Sequence, residues 1–359
     1  MRRVRYESAG GPLFVEDVPV PAPGPGEVLV RCDAVGITLP MVRKVTEAAE
    51  PVPLGGEVAG EVVAAGQGVT RFRAGDRVTG LCFGYGYAEF VLLHEAMTSP
   101  VPDDADAVTA VALVRSGLVA LGALDAARLA PGESVLVTAA ASGVGHLAVQ
   151  LARALGAGRV LGAVSGPAEA AGAPGPAETA GASGPAEAAD PGGRTMAADP
   201  GGRTTAADPV GRTTAADPVG RTKADFVRSL GADGCVRYDD GTWGDPVDCV
   251  LDAVGGDLLT PAVAALAPHG RLVAYSSGGG TVRAYDLLVG AKSVIGFQMA
   301  LIARGRPDVY ERWRRELWRL FAEGAVKPVV HGEFALEDAA AAHAVITSRA
   351  NLGKVVLRP

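Results

Sequence analysis

Between Glu133 and Val164 the chain reads ESVLVTAAASGVGHLAVQLARALGAGRVLGAV: an apolar run, a turn of small residues, an amphipathic stretch closed by a glycine, and a second apolar run. That is a nucleotide-binding shape. Gly143 and Gly145 let backbone approach a ligand closely at the start of the following helix, where unpaired N–H groups and the helix dipole attract phosphate. A strict G-x-G-x-x-G is absent, because Ala140 and Ser142 stand at its first two glycines. A strand–helix–strand unit that holds no cofactor is therefore the competing reading of these residues taken in isolation.

The elements that must position this turn follow from periodicity. Ser134–Thr138 reads as a buried strand, Val144, Leu147, Leu151 and Leu155 recur at helical spacing, and Gly156 suits a helix C-cap. Further on, apolar runs alternate with helical stretches: RVLGAV, KADFVRSLGAD, DCVLDAVGG, a short helix over Leu258–Leu266, GRLVAYSS and a candidate strand at Ser293–Phe297. Such alternation predicts a parallel sheet covered on both faces. Up to about Val101 the signals are different, with short strands broken by Gly and Pro in EVLVRCDAVGI, GEVAGEVVAAG, DRVTGLCFG and GYAEFVLL, so this portion reads as mostly β. Helical periodicity joins the halves over Ala105–Ala123, and the chain ends on the strand-like GKVVLRP.

Composition sets outer bounds. With 359 residues, 48% hydrophobic and 20% charged, the chain is that of an ordinary globular protein large enough for two domains. A net charge of −7 leaves no general basic field for nucleic acid. MRRVRYESAGG is not followed by a signal-like apolar run of about 7–15 residues, and no uninterrupted apolar stretch reaches about 18, so neither export nor a membrane span is expected. Cys32, Cys82, Cys235 and Cys249 lack C-x-x-C spacing and read as reduced thiols of a cytoplasmic protein.

Gly166–Thr222 breaks the pattern. It has no apolar periodicity and repeats every nine residues, from GPAEAAGAP to AADPVGRTK, which points to a tandem expansion. Calcium-binding β-rolls also use nine-residue units, but these units carry almost nothing to bury. Asp190, Asp199, Asp208 and Asp217 each lie four residues before an arginine, yet the intervening proline prevents a continuous helix from aligning the pairs. A solvated, disordered loop is the expectation. With the insert looped out, RVLGAVS runs into the helix at Lys223–Leu230 as a short connection, which places the insert where a dinucleotide's adenosine ribose is read.

Several separate stretches resemble the medium-chain dehydrogenase/reductase superfamily, in its zinc-free quinone oxidoreductase branch. GEVAGEVVAAGQGVTRFRAGDRVTG resembles that family's GroES-like β domain, GYAEF its next strand, and AAASGVGHLAVQLA its cofactor turn. LGAD and DAVGG resemble later Rossmann elements, and NLGKVVLRP the terminal strand. The resemblance covers the chain apart from the insert. It implies an α/β protein with a mostly-β GroES-like catalytic domain at 1–117, a doubly wound Rossmann cofactor domain at 118–297 that carries the insert, and a return to the catalytic domain at 298–359, with the site in the cleft and NADPH as hydride donor.

Residue by residue, the resemblance implies that Ala140, Ala141, Ser142, Gly143, Val144 and Gly145 cradle the pyrophosphate, and that Val254, Gly255, Tyr275 and Ser276 lie along the cofactor towards the nicotinamide. Ser165 ends its strand without the Asp or Glu that would hold a ribose 2′-hydroxyl and repel a 2′-phosphate. Lys223 and Tyr238 match the family's phosphoribose positions once the insert is looped out; the alternatives are a solvated helix lysine and a strand-packing tyrosine. Thr38, Tyr85 and Tyr87 are the candidate catalytic, substrate-side groups, with interdomain packing as the other reading.

Departures from the family are informative. Where zinc-dependent relatives carry a catalytic Cys, this chain has Thr38–Met41, and their G-H-E is Gly55-Gly56-Glu57. His94, His146, His269, His331 and His343 have no ligand-like grouping and are expected at the surface or as caps, so no metal is expected. Val119 stands where a threonine often contacts the nicotinamide, and no residue must be a general acid, the proton then coming from water. The expected activity is NADPH-dependent reduction of quinones or α,β-unsaturated carbonyls by a homodimer. An enoyl-thioester reductase of a biosynthetic pathway and a non-catalytic NADPH-binding protein are the alternatives.

Overall fold

A computed structural model describes residues 1–82, 84–165, 222–275 and 278–359. Residues 166–221 of the repeat, and Ser276, lie outside the described residues.

The runs of Val and Leu after Glu133 form a six-stranded parallel sheet in the spatial order Gly234–Arg237, Arg159–Val164, Ser134–Thr138, Val247–Asp252, Leu266–Ala274, Ser293–Gly296. Its central strands are apolar without alternation because both faces are covered: Val135, Leu136, Val137, Val250 and Leu251 are all fully buried. In chain order the strands run 3-2-1-4-5-6, the doubly wound arrangement, and the order reverses between Ser134–Thr138 and Val247–Asp252. Ligands of such sheets bind beyond the C-terminal strand ends at that reversal, here Thr138 and Asp252.

The N-terminal strands form a second sheet of seven, mostly antiparallel, to which Val330–Ala335 and Lys354–Arg358 return from the far end of the chain. Lys354–Arg358 pairs antiparallel with Glu27–Gly36, matching Val356 to Gly36 and Leu357 to Val35. Glu27–Gly36 also pairs with Gly56–Ala65, so the strand ends near Gly36 and Gly56 lie side by side.

The helix Ala107–Ala126 is the spine between the sheets. Asp106 caps it by accepting from the Thr109 N–H at 2.7 Å. It is long and apolar enough to cross a membrane by length and composition, but 78% of that window is buried in the fold, and a helix apolar all round is what a two-sided core requires.

One local expectation needs correcting. The short helix is Leu259–Ala264 and the next strand begins at Leu266, not at Gly270, with His269 in a left-handed turn at φ +67°. At the insert, Arg159–Val164 meets the helix Lys223–Ser229 directly, with Lys223 Nζ 2.6 Å from Ser165 Oγ. Thr222 caps that helix, its hydroxyl accepting from the Asp225 N–H at 3.1 Å.

Candidate cofactor and substrate site

The turn after Thr138 is held by its own small side chains. The Ser142 N–H donates to Ala139 O at 2.9 Å, the Gly145 N–H to Ser142 Oγ at 3.1 Å, and the His146 N–H to Ser142 O at 3.1 Å. The N–H groups of Gly143 and Val144 find no acceptor among the described residues, which leaves them for an anion at the head of the helix Gly145–Ala154. The two glycines serve different ends. A Cβ on Gly145 would run into the Ala139 carbonyl oxygen and lie 2.7 Å from Ala140 Cα, so this glycine permits the chain's own strand–helix packing rather than the ligand approach its sequence suggests. On Gly143 the nearest atom would be Lys354 Cδ at 3.4 Å, an ordinary contact, and that face stays open.

His146 is fully buried, contrary to the surface or capping role expected from sequence. Its Nε2 accepts from the Val329 N–H at 3.0 Å, so Nδ1 carries the proton and donates to Ser142 O at 2.9 Å. Burial draws its pKa down to about 4, so the ring ties the turn to the C-terminal segment as a neutral group. His343 departs from expectation in the same way: it is buried, with its pKa lowered by burial to about 4.

At the end of Arg159–Val164 the structure brings Ser165, Lys223 and Tyr238 together with a residue that sequence reasoning missed, Arg349. Tyr238 Oη accepts the Ala139 N–H at 2.6 Å, which joins this corner to the phosphate turn. Lys223 is half-buried, and burial lowers its pKa, with the Arg349 guanidinium adding to the effect. Burial pushes Tyr238 up to about 12, while the Ala139 hydrogen bond and Arg349 pull the other way. No carboxylate pairs with Lys223 or Arg349 among the described residues. A half-buried lysine hydrogen-bonded to Ser165 Oγ, with a second positive charge acting on it, favours an anion at this corner. Nothing in local sequence marked Arg349, which lies in the segment between the helix Ala339–Thr347 and the strand Lys354–Arg358, a segment fastened to the phosphate turn by the Gly353 N–H on Ala141 O.

The other flank is organised by Asp252, a fully buried carboxylate. It accepts from Thr138 Oγ1 at 3.0 Å and from the N–H groups of Val254 at 3.2 Å and Gly255 at 2.9 Å. Gly255 sits at φ +71°, and a Cβ there would lie 2.8 Å from Gly279 O. The Tyr275 N–H donates to the Asp252 carbonyl at 3.1 Å, and the Tyr275 hydroxyl is buried with no partner among the described residues, its pKa raised by burial. Val254, Gly255 and Tyr275 therefore gather at the sheet's reversal point.

The substrate-side candidates fare unequally. Thr38 is half-buried at the head of the helix Leu39–Glu47, with no capping bond from its side chain. Tyr85 is 48% exposed and stacks under the Arg3 guanidinium, 4.3 Å from the ring centroid. Tyr87 is 1% exposed and its hydroxyl lies 3.1 Å from His343 Nε2, which makes it a packing residue of the β domain rather than a group that meets substrate.

A buried ion cluster lies behind the turn. Glu57 is held by Lys354 at 2.6 Å and by Arg115 Nη1 at 3.0 Å, with the Glu57 and Lys354 side chains 2% and 3% exposed. Burial lowers the Lys354 pKa against the opposing pull of Glu57. The Gly353 N–H donates to Ala141 O at 2.8 Å, so the strand that carries Lys354 is fastened to the phosphate turn. Among the described residues no three His, Cys, Asp or Glu side chains gather as a metal site, and the positions of the zinc-binding Cys and His hold Thr38 and Gly56. The donor set does not fit zinc.

Comparison with known proteins agrees with this architecture. The family model described as alcohol dehydrogenase GroES-like domain matches residues 24–103, and that described as zinc-binding dehydrogenase matches residues 230–357. A rat protein named quinone oxidoreductase is 30% identical over 99% of this chain and 97% of its own length. A Burkholderia protein named 2-haloacrylate reductase is 28% identical over 100% of this chain and 99% of its own. Among solved structures, a mycobacterial protein in complex with NADPH superposes with a TM-score of 0.79 at 27% identity, covering 100% of both chains.

Proposed function

The chain belongs to the medium-chain dehydrogenase/reductase superfamily, in its quinone oxidoreductase-like branch, and on that premise we propose that it reduces quinones or α,β-unsaturated carbonyls with NADPH and without a metal. The observation that carries the cofactor assignment is Lys223, without a carboxylate partner among the described residues, 2.6 Å from Ser165 Oγ at the ribose end of the phosphate turn, with the Arg349 charge adding to the field there. A 2′-phosphate supplies the missing negative charge, whereas the 2′-hydroxyl of NADH does not. The N–H groups of Gly143 and Val144 receive the pyrophosphate, and the loop braced by Asp252 lies along the nicotinamide half. The cofactor supplies hydride. Residues 1–117 and 298–359 form the catalytic domain in this reading and 118–297 the cofactor domain, with Thr38 and Tyr85 on the substrate side.

Replacing Lys223 with alanine removes one charge-assisted contact, so NADPH affinity is expected to fall about 10–100-fold while NADH affinity stays the same. Fluorescence titration of both nucleotides checks this. Equal affinity of the unaltered protein for NADPH and NADH would sink the assignment. Turnover against a panel of quinones, enones and acyl thioesters separates the reading from its rivals: preference for acyl thioesters assigns an enoyl reductase, and tight NADPH binding without oxidation assigns a binding protein.

A homodimer is part of the same proposal. Among the described residues Ser293–Gly296 is an edge strand, paired with Leu266–Ala274 on one side and carrying Val294 at 37% exposure. Beside it Tyr285, Leu288 and Val289 are 70–75% exposed, an apolar surface next to unpaired backbone that a second copy would cover by extending the sheet. Light scattering is expected to give twice 36.2 kDa, and Leu288→Asp to give the single-chain mass. A single-chain mass for the unaltered protein rejects the dimer.

A further inference from the structure

The cluster around Glu57 contains two cations and one carboxylate, so it holds one positive charge too many. Lys354 lies almost wholly inside the protein with its ammonium on Glu57 Oε2. Arg115 differs. Its side chain is 29% exposed, Nη1 is taken by Glu57 Oε1, and Nε is buried with no hydrogen-bond partner among the described residues. A buried donor on a charged group is costly to leave without an acceptor.

Its position says what that acceptor would be. Arg115 lies one helical turn before Val119 on the spine helix, and its neighbour Ser116 has Oγ 3.9 Å from where a Gly143 Cβ would stand. Lys354, which shares Glu57 with Arg115, has Cε 2.6 Å from where a Gly36 Cβ would stand, at the end of the strand leading to Thr38. The Tyr310 hydroxyl feels the Arg115 charge from the helix Pro307–Ala322. The guanidinium shares Glu57 with Lys354, and the Lys354 stem runs between the Gly36 strand end and Gly143 of the phosphate turn, 3.4 Å from where a Gly143 Cβ would stand, so the ion cluster links the two.

We propose that Arg115, braced by Glu57, binds the oxygen of the conjugated acceptor and stabilises the negative charge that hydride addition places there. The inference rests on the reductase reading above. Hydride given up by NADPH, which would be oxidised to NADP⁺, would form a C–H bond at the β-carbon, the C=C electron pair would shift towards the carbonyl, and the oxygen would become an enolate. Arg115 N–H groups donate to that oxygen, and water then delivers the proton. The residue supplies the electrophile that the sequence lacked. It also favours acceptors whose oxygen is already anionic, α,β-unsaturated carboxylates among them.

The test uses Arg115→Met, which leaves Glu57 paired with Lys354, and Arg115→Lys, which keeps the charge without the fork. In the NADP⁺-saturated full chain, 4-nitrophenolate serves as a non-reacting enolate mimic. The unaltered protein is expected to bind it, Arg115→Met to bind at least about tenfold more weakly, and Arg115→Lys to fall between. The kcat/KM for quinone, enone and 2-chloroacrylate is expected to drop about 10²–10³-fold in Arg115→Met with NADPH affinity unchanged. If the mimic fails to bind the unaltered protein, or binds Arg115→Met equally well, the proposal is overturned. A loss of NADPH affinity as large as the loss of turnover also overturns it, because Arg115 would then serve the cofactor. If no acceptor is reduced while mimic binding still depends on Arg115, the reductase reading fails and the site assignment stands.

Discussion

Gly145→Ala is expected to abolish tight NADPH binding and to destabilise the fold, whereas Gly143→Ala, two residues earlier, is expected to spare the fold. The added methyl at Gly145 has nowhere to go, since it would run into the Ala139 carbonyl and lie 2.7 Å from Ala140 Cα, both backbone. Overpacking of this kind costs about 1–3 kcal/mol, and relief requires the helix head to move off the strand end. That movement displaces the Gly143 and Val144 N–H groups, so NADPH affinity should fall at least about tenfold. At Gly143 the methyl meets Lys354 Cδ at 3.4 Å, an ordinary contact, but it projects into the open face where phosphate would lie. Thermal unfolding and nucleotide titration of the two variants should therefore dissociate: both properties lost at 145, affinity alone at 143. Unchanged stability and affinity in Gly145→Ala would contradict the described turn.

The second large effect is predicted at Glu57. Glu57→Ala leaves the buried Lys354 cation beside the partly exposed Arg115 guanidinium with no carboxylate, and breaking a buried pair in this way costs about 3–5 kcal/mol. Urea denaturation should show it as a lowered midpoint. Adding Lys354→Met to Glu57→Ala should recover part of the loss, because one of the two uncompensated charges is removed and the two sites interact directly. A loss below about 1 kcal/mol in the single variant would mean that the cluster is open to water.

Much of the fold was legible because its signals are local. The parallel sheet could be read from Ser134–Thr138, RVLGAV and DCVLDAVGG, each an apolar run long enough for one strand, with a helix-period stretch between. Ser165 and Lys223 could be placed together across the intervening repeat because the repeat has no apolar pattern of its own. The boundary at Leu266 was misread, since LAPHG looks like a loop and its strand pairing depends on Val247 in the neighbouring strand. The histidines were misjudged for a related reason. His146 and His343 carry no apolar signature, and only their distant partners, Val329 and Tyr87, make them interior.

The sequence by itself determined the βα alternation, the phosphate turn and the lack of an acidic residue after Arg159–Val164, because these depend on residues a few positions apart. Tertiary structure alone decided which charges share a site. Glu57, Arg115 and Lys354 come from a strand of the β domain, the spine helix and the terminal strand, and Arg349 approaches Lys223 from the far end of the chain. Coulomb energy depends on distance in space and on exclusion of water, and neither is written in sequence spacing. The phosphate turn could therefore be read from its own residues, while the charges proposed to set cofactor preference and to meet the acceptor oxygen could not.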